Sequence, residues 1–303
     1  MVTQTDAFGL AVVILSYGDD TKRAEEAARS VIAQNVSPAQ VVIVHNPAHP
    51  ETVVMPPDLG CVWLPQERNL GYSAGMNAGI RCVTSLLQPD LVLLMTHDSR
   101  LLPEALRNLL RRLRSEPVLG LVGPVLKHAD SGDIFSVGGF ITATEAGHIT
   151  RECDRRGLPW IDGSVLLVRK EVLESVLFDE SLFMYWEDVE FSRVVREHGW
   201  LLEVVFDAEA VQSVGLASRG RVGAMLEARN RLEIYRRSLG WGAVAFQILV
   251  LLRRCLALIR RSAGVGAQNR SRHVNLALGT LGGIAAFGAR RFGPPATTQK
   301  GTW

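Results

Sequence analysis

A regular alternation of short apolar runs with helix-periodic segments fills the first 122 residues and constrains the fold most strongly. The runs are rich in β-branched residues, and the segments between them repeat apolar residues at helical spacing. The predicted strands are Leu10 to Ser16, Val41 to Val44, Cys61 to Leu64, Leu91 to Met95 and Val118 to Val122. The predicted helices are Asp19 to Gln34, Ala74 to Leu87 and Pro103 to Arg114, the last opening on its proline. This alternation predicts an α/β fold with a mostly parallel sheet covered on both faces, and ligands at the carboxyl ends of the strands.

The remainder of the chain divides into a loosely patterned part and a helical part. Residues Lys127 to Leu158 contain Gly, Asp, Ser and Thr in every candidate element, which predicts an irregular region that shapes the substrate site. Beyond Gly220 the periodicity predicts helices at Val222 to Leu239, Trp241 to Arg261 and Val274 to Arg291. We therefore predict a catalytic domain over residues 1–219 and a basic helical extension over residues 220–303.

The cysteines and the N-terminus favour a cytoplasmic protein. The four cysteines, Cys61, Cys82, Cys153 and Cys255, are widely separated and show neither zinc-ligand nor disulfide-framework spacing. Residues Met1 to Asp6 contain no basic cluster, and the apolar run that follows is too short and too β-branched for a secretory signal. We expect reduced thiols and no export.

The charge is distributed unevenly along the chain. Residues 1–218 hold 18 Lys and Arg against 29 Asp and Glu, a net charge of −11. Residues 219–303 hold 15 against 2, a net charge of +13. The basic end predicts an anionic partner such as lipid headgroups or a lipid diphosphate. Nucleic acid is disfavoured because the segment has no interleaved aromatic residues for base stacking and no recognisable nucleic-acid module.

The predicted helix Trp241 to Arg261 combines apolar and basic residues. Its apolar stretch, Ala243 to Leu252, is ten residues long with Gln247 as the one polar member. A spanning helix needs about 20 apolar residues, so this stretch is too short to cross a bilayer. Arg253-Arg254 and Arg260-Arg261 recur seven residues apart and share one side of the helix. The helix either lies in the membrane interface, on the cytoplasmic face, or packs on the catalytic domain with solvated arginines.

The stretch from Trp160 to Trp200 contains a buried-strand pattern, a short helix, an aromatic cluster and an acidic pair in succession. Its motifs are G-S-V-L-L-V-R from Gly163, F-D-E-S-L-F-M-Y from Phe178, E-D-V-E from Glu187 and a closing G-W. The stretch resembles the acceptor-side half of family 2 glycosyltransferases, and the resemblance covers roughly residues 10–240. It is nearest to the rhamnosyltransferase-type members that build bacterial polysaccharides. The resemblance implies the GT-A fold, a nucleotide-sugar-binding fold with a mostly parallel sheet flanked by helices.

The resemblance also implies a donor site in the first half of the chain. N-L-G-Y-S-A-G-M-N-A-G, from Asn69, is similar to the family's N-x-G-x-x-x-G-x-N-x-G, and Ser16-Tyr17 corresponds to the Thr/Ser-Tyr that touches the nucleotide base. His45-Asn46 stands where the family has Asp-Asn. The implied donor-binding residues are Ser16, Tyr17, His45, Asn69, Gly71, Gly75, Asn77 and Asp98. The structural alternatives are helix packing by glycines spaced by four and a tyrosine that packs on the core.

A divalent metal is implied by Thr96-His97-Asp98-Ser99, which follows the fourth predicted strand. The family carries Asp-x-Asp or Asn-Pro-Asp-Thr there, and this chain keeps the third-position carboxylate, Asp98. In the family that carboxylate binds Mg²⁺ or Mn²⁺, which bridges the donor diphosphate. Many relatives complete the site with a downstream histidine, and Gln212 occupies that position here. Taken alone, Asp98 is equally typical of a turn or helix cap.

The acidic pair Glu187-Asp188 is the candidate catalytic group. Neighbouring carboxylates on a helix point about 100° apart and cannot flank a glycosidic bond as a hydrolase pair does, which favours transfer over hydrolysis. The resemblance implies that Asp188 is the general base that deprotonates the acceptor hydroxyl, with Glu187 orienting the acceptor. It also implies acceptor contacts for Trp160, Asp162, Gly163, Tyr185 and Trp186. The alternative is a pair of acids placed in a helix's first turn by the macrodipole.

These expectations describe an inverting glycosyltransferase. It would move a hexosyl unit, such as rhamnosyl, from a dTDP- or UDP-sugar to a saccharide or a polyprenyl-diphosphate-linked saccharide. The alternative is a catalytically degenerate GT-A protein that binds nucleotide sugar or glycan, since polar groups expected at positions 45, 96 and 212 differ. A nicotinamide-dependent oxidoreductase is disfavoured because the first strand is followed by S-Y-G-D-D rather than G-x-G-x-x-G.

Overall fold

The structure is a computed structural model that describes residues 9–18, 21–34, 36, 38, 40–49, 59–150, 157–213 and 220–295. Its strands are β1 Leu10–Tyr17, β2 Gln40–Asn46, β3 Val62–Pro65, β4 Leu91–Thr96, β5 Ser99–Leu101, β6 Leu119–His128, β7 Ile134–Ser136, β8 Gly139–Ile141, β9 Ala146–His148, β10 Leu158–Trp160, β11 Val165–Arg169 and β12 Leu201–Gln212. Its helices are α1 Lys22–Ile32, α2 Gly71–Leu87, α3 Ala105–Ser115, α4 Lys170–Ser175, α5 Glu187–Glu197, α6 Arg221–Ser262 and α7 Ala267–Gly288.

The central sheet is mostly parallel, as the alternation predicts. Its strand order is β3-β2-β1-β4-β11-β6-β12-β5, with β7 paired to β6. Strands β3, β2, β1 and β4 run parallel to one another, and β6 runs parallel to β12. Strand β11 is antiparallel to both of its neighbours, and a separate three-stranded antiparallel sheet has the order β10-β8-β9. The carboxyl ends of β1, β2 and β4 therefore meet at one edge, where the predicted site residues cluster.

The apolar strands are buried on both faces. In β1, Val12 and Ile14 pack in the cluster that contains α1 and α3, whereas Val13 and Leu15 pack in the cluster that contains α2 and α5. Because both faces are covered, the strand sequence is continuously apolar rather than alternating. Each fully buried side chain of this size stabilises the fold by about 1.5–3 kcal/mol relative to exposure.

Several predicted boundaries differ from the structure, and the starts of three helices show why. Helix α3 begins at Ala105 rather than at Pro103, because Glu104 has a φ of 66° and cannot belong to a right-handed helix. Helix α2 begins at Gly71, three residues before the predicted start, and α7 begins at Ala267, seven residues before Val274. The N-terminal turns of α2 and α7 are rich in Gly, Asn, Ser and Gln, so periodicity alone does not reveal them.

The region predicted to be irregular contains ordered strands. Strands β7, β8 and β9 lie within it, and β10 begins at its last residue. Strand β12 was not predicted, because Glu203, Asp207 and Glu209 interrupt its apolar residues. These three acidic residues are tolerated in the strand because each forms an ion pair at the surface: Glu203 with Arg112, Asp207 with Arg111, and Glu209 with Lys127.

The C-terminal helices pack on the rest of the molecule. Helix α6 is broken at Gly240, whose φ of 79° and ψ of −176° separate the two helices that the sequence predicts. Leu232 and Tyr235 of α6 share a buried cluster with Trp160 and Leu182. The division into domains at residue 219 stays a prediction, but the first half of α6 forms one wall of the site.

Candidate active site

A cavity of about 470 Å³ brings most of the predicted catalytic, acceptor and metal residues together. Its predicted members are Asp98, Trp160, Asp162, Gly163, Tyr185, Trp186, Glu187 and Asp188. Gln212 also lines it, and so do residues that the sequence analysis did not identify, among them Tyr72, Glu227 and Arg231. The acidic pair therefore faces a space that can hold a substrate.

Asp188 lies in the first turn of α5 and is held by two backbone amides. Its Oδ2 accepts a hydrogen bond from the Gly163 amide at 3.1 Å, and its Oδ1 accepts one from the Val189 amide at 2.8 Å. Burial, with the nearby negative charge of Asp162, raises the pKa of Asp188 to about 7. A carboxylate with this pKa can accept a proton near neutral pH, as a general base must.

Glu187 differs from its neighbour in its hydrogen bonding. It is buried, and its Oε2 has no hydrogen-bond partner within the described part of the chain. Burial, followed by the charge of Asp188, raises the pKa of Glu187 well above its ordinary value. The fold therefore favours the protonated form of Glu187, whose hydroxyl can donate to a bound acceptor. Its role in orienting the acceptor stays a prediction.

Tyr72 fixes the loop beneath Asp188. Its hydroxyl donates to the Gly163 carbonyl at 2.6 Å, and burial followed by the charge of Glu187 raises the Tyr72 pKa well above 10. A Cβ at Gly163 would come within 2.9 Å of the Tyr72 hydroxyl and 3.1 Å of the Asp188 Cβ. A side chain at position 163 would therefore have to displace the Tyr72 hydroxyl or Asp188. Tyr72 occupies a variable position of the N-L-G-Y-S motif, so no sequence signal identified it.

An aromatic loop, residues 182–186, leads into α5 with strained backbone. Phe183, Tyr185 and Trp186 have φ values of 65°, 71° and 70°, in the left-handed region that residues with a Cβ rarely adopt. The Phe183 carbonyl accepts the Tyr72 amide at 2.7 Å, and a Cβ at Gly71 would lie 2.4 Å from that carbonyl oxygen. Such backbone costs about 1–3 kcal/mol per residue and persists only where the surroundings determine it.

Two buried residues of α6 hold the aromatic loop. The Asn230 side-chain nitrogen is within 2.8–2.9 Å of the carbonyl oxygens of Leu182, Met184 and Tyr185 and donates to them. Arg229 donates to the Leu182 carbonyl at 2.9 Å and to the Asn230 amide oxygen at 2.8 Å. Burial lowers the pKa of Arg229 to about 10, so it remains charged at neutral pH. The sequence analysis did not identify this pair. A polar Arg-Asn pair within the apolar pattern of a predicted helix is a signal that could have indicated it.

Asp98 and Gln212 form a candidate oxygen-ligand pair. Strand β12 pairs with β5 so that Gln212 lies opposite Ser99, and the Ser213 amide donates to the Asp98 carbonyl at 2.9 Å. The Gln212 Oε1 is buried beside the cavity and has no hydrogen-bond partner among the described residues. Carboxylate and amide oxygens are ligands that Mg²⁺ and Mn²⁺ accept, and the described residues contain no cluster of three or more His, Cys, Asp or Glu side chains for a metal. The pair fits a cation whose other ligands are waters and a substrate.

Several predicted donor residues lie outside the cavity in structural roles. The buried Asn77 side chain exchanges hydrogen bonds with the Phe178 backbone, its Nδ2 donating at 2.9 Å and its Oδ1 accepting at 3.0 Å. The His45 ring stacks on Trp63 with centroids 5.0 Å apart, and its Nδ1 is 3.3 Å from the Ser16 hydroxyl. The structure does not bring Asn77, His45 or Ser16 to the cavity lining.

The remaining donor residues occupy the edge of the sheet. The Asn69 amide oxygen accepts the Gly71 amide at 2.8 Å and caps the entry to α2, and Gly75 packs against Leu15 and Asn46. Tyr17 ends β1 with 37% of its surface exposed, so its ring remains accessible to a nucleotide base. Of the predicted donor residues, Tyr17, Asn69 and Asp98 thus have side chains that are at least partly exposed at this edge.

The fold is that of GT-A glycosyltransferases. The mannosyltransferase PcManGT from Pyrobaculum calidifontis, solved with GDP-Man and Mn²⁺, superposes with a TM-score of 0.55 at 14% identity, covering 93% of this chain and 88% of that one. GalNAc-T7, solved with UDP, GalNAc and Mn²⁺, superposes with a TM-score of 0.58 at 11% identity, covering 88% and 55%. At these identities the likeness concerns the fold alone.

The chain belongs to glycosyltransferase-like family 2, whose sequence profile matches residues 8–238. It is 24% identical over 209 residues to the low-salt glycan biosynthesis hexosyltransferase Agl10 of Haloferax volcanii, covering 65% of each chain. It is 28% identical over 177 residues to the N-acetylglucosaminyl-diphospho-decaprenol L-rhamnosyltransferase of Mycobacterium tuberculosis, covering 49% of this chain and 57% of the relative. The chain thus spans 57–65% of the length of these curated relatives. The resemblance to family 2 and the GT-A fold predicted from sequence are both confirmed.

Proposed function

We propose that this protein is an inverting glycosyltransferase that uses a nucleoside-diphosphate sugar. The observation that carries the proposal is Asp188, a half-buried carboxylate at the cavity with a pKa of about 7 and an orientation fixed by the Gly163 amide. A single base suffices for inverting transfer, in which one displacement occurs at the anomeric carbon. Membership of family 2 supports the reaction class.

The proposed reaction consists of one proton transfer and one displacement at the anomeric carbon. Asp188 accepts the proton of the acceptor hydroxyl as its oxygen bonds to the anomeric carbon of the donor sugar. The bond from that carbon to the diphosphate oxygen breaks on the opposite face, which inverts the configuration. Asp98 and Gln212 would hold Mg²⁺ or Mn²⁺, which would supply positive charge to the leaving diphosphate. Glu187, whose pKa is raised by burial, hydrogen-bonds the acceptor and fixes its approach.

The substrate classes follow from the relatives. We propose a hexosyl donor, such as a dTDP- or UDP-linked rhamnosyl unit, and an acceptor saccharide that is carried on a polyprenyl diphosphate. The names of the hexosyltransferase and rhamnosyltransferase relatives support the donor class, and the diphospho-decaprenol substrate in the second name supports the acceptor class.

A thermal-shift panel of nucleotide sugars with and without Mn²⁺ tests the donor and the metal together. We expect one base and sugar to raise the melting temperature, with a larger rise when Mn²⁺ is present. Asp98→Asn should weaken Mn²⁺ binding, measured by calorimetry, at least about 10-fold, the lower bound for altering even outer-shell partners of metal sites. Asp133→Asn, at an exposed surface acid, is the matched control. Equal Mn²⁺ affinity in Asp98→Asn and the parent chain would remove Asp98 from the metal site.

A binding protein without catalysis is the competing function. It is favoured by His45, which is buried against Trp63 rather than open to a base, and by the absence of the family's first acid at Thr96. Donor consumption separates the two functions. A protein that binds a nucleotide sugar and never releases nucleoside diphosphate in the presence of saccharide acceptors belongs to the second class.

We also propose that the chain binds peripherally to the cytoplasmic face of an anionic membrane. The second half of α6 exposes Phe246, Leu249, Leu252, Leu256 and Ile259, and α7 exposes Val274, Leu278 and Leu281. From residue 238 onward the chain has nine Lys and Arg and neither Asp nor Glu. Apolar side chains beside arginines are the surface that an anionic bilayer interface attracts.

The length of α6 also admits a membrane crossing. Among the described residues, α6 is the one helix that is long and apolar enough to cross a membrane by length and composition. The break at Gly240 and the packing of Cys255 against Ala277 of α7, Sγ to carbonyl oxygen at 3.6 Å, favour a hairpin that lies in the interface.

Vesicle sedimentation tests the membrane proposal. We expect binding to vesicles with about 30% anionic lipid that weakens as salt rises, because surface charges are screened. The double variant Leu249→Glu, Leu256→Glu should lose binding, whereas Leu201→Glu, at an equally exposed leucine of β12, should keep it. No binding to anionic vesicles at low salt contradicts the proposal. Binding that resists both high salt and alkaline carbonate indicates a crossing helix and contradicts it as well.

A further inference from the structure

The cavity contains a cationic group that the proposed reaction does not use. Among the described residues that line it, Arg231 of α6 is the sole arginine or lysine. The acidic members of the lining are Asp98, Asp162, Glu187, Asp188 and Glu227. An arginine directed at an otherwise acidic substrate cavity is a candidate for binding an anionic part of the substrate.

The guanidinium of Arg231 is held in place by neutral groups. Its Nε and Nη2 donate to the Gln247 amide oxygen at 3.0 and 2.6 Å, and its charge lies 5.7 Å from the ring centroids of both Trp186 and Tyr235. The Glu227 carboxylate is 3.7 Å from Nη1, beyond hydrogen-bond distance. The side chain is thus oriented by neutral groups, and its nearest counter-charge, Glu227, lies at ion-pair distance without a hydrogen bond.

Another arginine of the same helix shows the contrast. Arg237 lies 2.6–2.9 Å from the carboxylates of Asp179, Glu190 and Glu233, an arrangement that satisfies its charge within the protein. Arg231 takes its closest contacts from an amide instead, and two of its five N–H groups are used there. The positive charge of Arg231 is therefore paired more loosely than that of Arg237 and can bind an anionic ligand that enters the cavity.

The position of Arg231 indicates which substrate carries the anion. Asp98 and Gln212, the candidate ligands for a donor-diphosphate cation, come from the sheet, whereas Arg231 contacts Trp186 of the aromatic loop. Its partner Gln247 belongs to the segment of α6 that exposes apolar and basic residues to the proposed membrane surface. The hydrogen-bonded contact between Arg231 and Gln247 thus connects that segment to the cavity.

We propose that Arg231 binds the diphosphate of the lipid-linked acceptor, with Gln247 and Trp186 orienting it. The assignment rests on the proposed function for the identity of the acceptor. A guanidinium presents paired donors that match phosphate oxygens, and the diphosphate of a lipid-linked saccharide lies at headgroup level, where α6 meets the bilayer. Glu227 reduces the affinity, because it competes for the same guanidinium.

The test begins with binding, in detergent-free buffer with EDTA, so that metal-dependent donor binding is suppressed. Calorimetry with geranyl diphosphate should show binding to the parent chain that weakens about 10- to 100-fold in Arg231→Gln, as expected for loss of a charge-assisted hydrogen-bond pair. Arg231→Lys should be intermediate, and Glu227→Gln should bind equally or more tightly. Arg107→Gln, a surface arginine on α3, is the control and should bind like the parent.

Transfer kinetics supply the second measurement. With the same saccharide offered as a prenyl diphosphate or as a neutral alkyl glycoside, Arg231→Gln should raise the KM for the first about 10- to 100-fold. The KM for the glycoside should stay within about 2-fold of the parent value. Equal loss on both acceptors, or unchanged binding of geranyl diphosphate, overturns the assignment. Arg231-dependent binding without transfer to either acceptor confirms a prenyl-diphosphate site at Arg231 and overturns the proposed function, and with it the acceptor role of that site.

Discussion

Asp188→Asn is expected to reduce transfer about 1,000-fold or more while leaving donor binding unchanged, since a positioned general base contributes about 10²–10⁴ to the rate. Asparagine has nearly the same shape and keeps one oxygen to accept the Gly163 or Val189 amide, whereas its NH2 group faces the other amide. Unchanged nucleotide-sugar binding therefore shows that the site geometry is preserved in the variant. Product formation in single-turnover reactions and nucleotide-sugar binding by calorimetry measure the two quantities. Turnover at the parent rate would remove Asp188 as the base.

The same assignment fixes the pH dependence. With the pKa of Asp188 raised to about 7, kcat/KM should rise about tenfold per pH unit below that value and level off above it. Because Glu187 and Asp188 interact, the midpoint belongs to the pair rather than to one residue. In Asp188→Asn this acid limb should disappear from the residual activity, whereas Asp133→Asn should retain it.

Stability should move in the opposite direction to activity. The pKa of Asp188 is higher in the folded state than its ordinary value of 3.8, so the folded protein binds more protons between about pH 4 and pH 7. This group's contribution to the free energy of unfolding is therefore fully present below about pH 4 and is lost as the pH rises to about 7. At about pH 8 the Asp188→Asn variant should melt higher than the parent chain, and the difference should shrink toward about pH 4. A lower melting temperature of the variant at both pH values would contradict the assigned burial.

Local sequence predicted the strands that are apolar on both faces and the helices with clear periodicity. Local sequence does not predict strand β12, because its acidic residues pair with two arginines and a lysine more than 80 residues away in sequence. No local pattern reveals such pairs. The predicted start of α3 is wrong because it relies on the preference of proline for the first turn of a helix, whereas Glu104, the next residue, adopts a left-handed conformation.

The site divides in the same way. Asp188, Glu187 and Asp98 were found because their motifs keep chemistry and spacing together. The sequence does not identify Tyr72 or Arg231. Tyr72 acts through its hydrogen bond to the Gly163 carbonyl, and Arg231 through its contact with the Trp186 ring, and both contacts form only in the folded chain. His45 and Asn77 were assigned to the donor by motif position, yet packing gives both of them buried partners elsewhere. A motif thus identifies the reactive side chains of the site more reliably than it identifies which side chains contact the ligand.

The helical region beyond residue 219 is expected to control catalysis through Asn230. Its side-chain nitrogen donates to three carbonyls of the aromatic loop, whose left-handed residues immediately precede the base. Aspartate at this position has the same size and retains an acceptor for Arg229, but it presents an oxygen to the carbonyl oxygens instead of a donor. The repulsion should release the strained loop and displace Tyr185, Trp186 and the start of α5 together.

Asn230→Asp should therefore lower kcat about 100-fold, because small misplacements of reacting groups cost rates of that order, with the donor affinity nearly unchanged. The matched control is Asn275→Asp, at an exposed asparagine of α7, which should keep the parent kcat. Both variants are to be assayed well below their melting temperatures, so that lost folding is not read as lost catalysis.

The sharper measurement on Asn230→Asp is the acid limb of its pH profile. Its midpoint should shift in Asn230→Asp, since the burial that raises the pKa of Asp188 depends on the loop. A parent-like kcat and midpoint in this variant would show that the loop holds its conformation without α6, and a loss of donor affinity equal to the loss of kcat would indicate general unfolding rather than positioning.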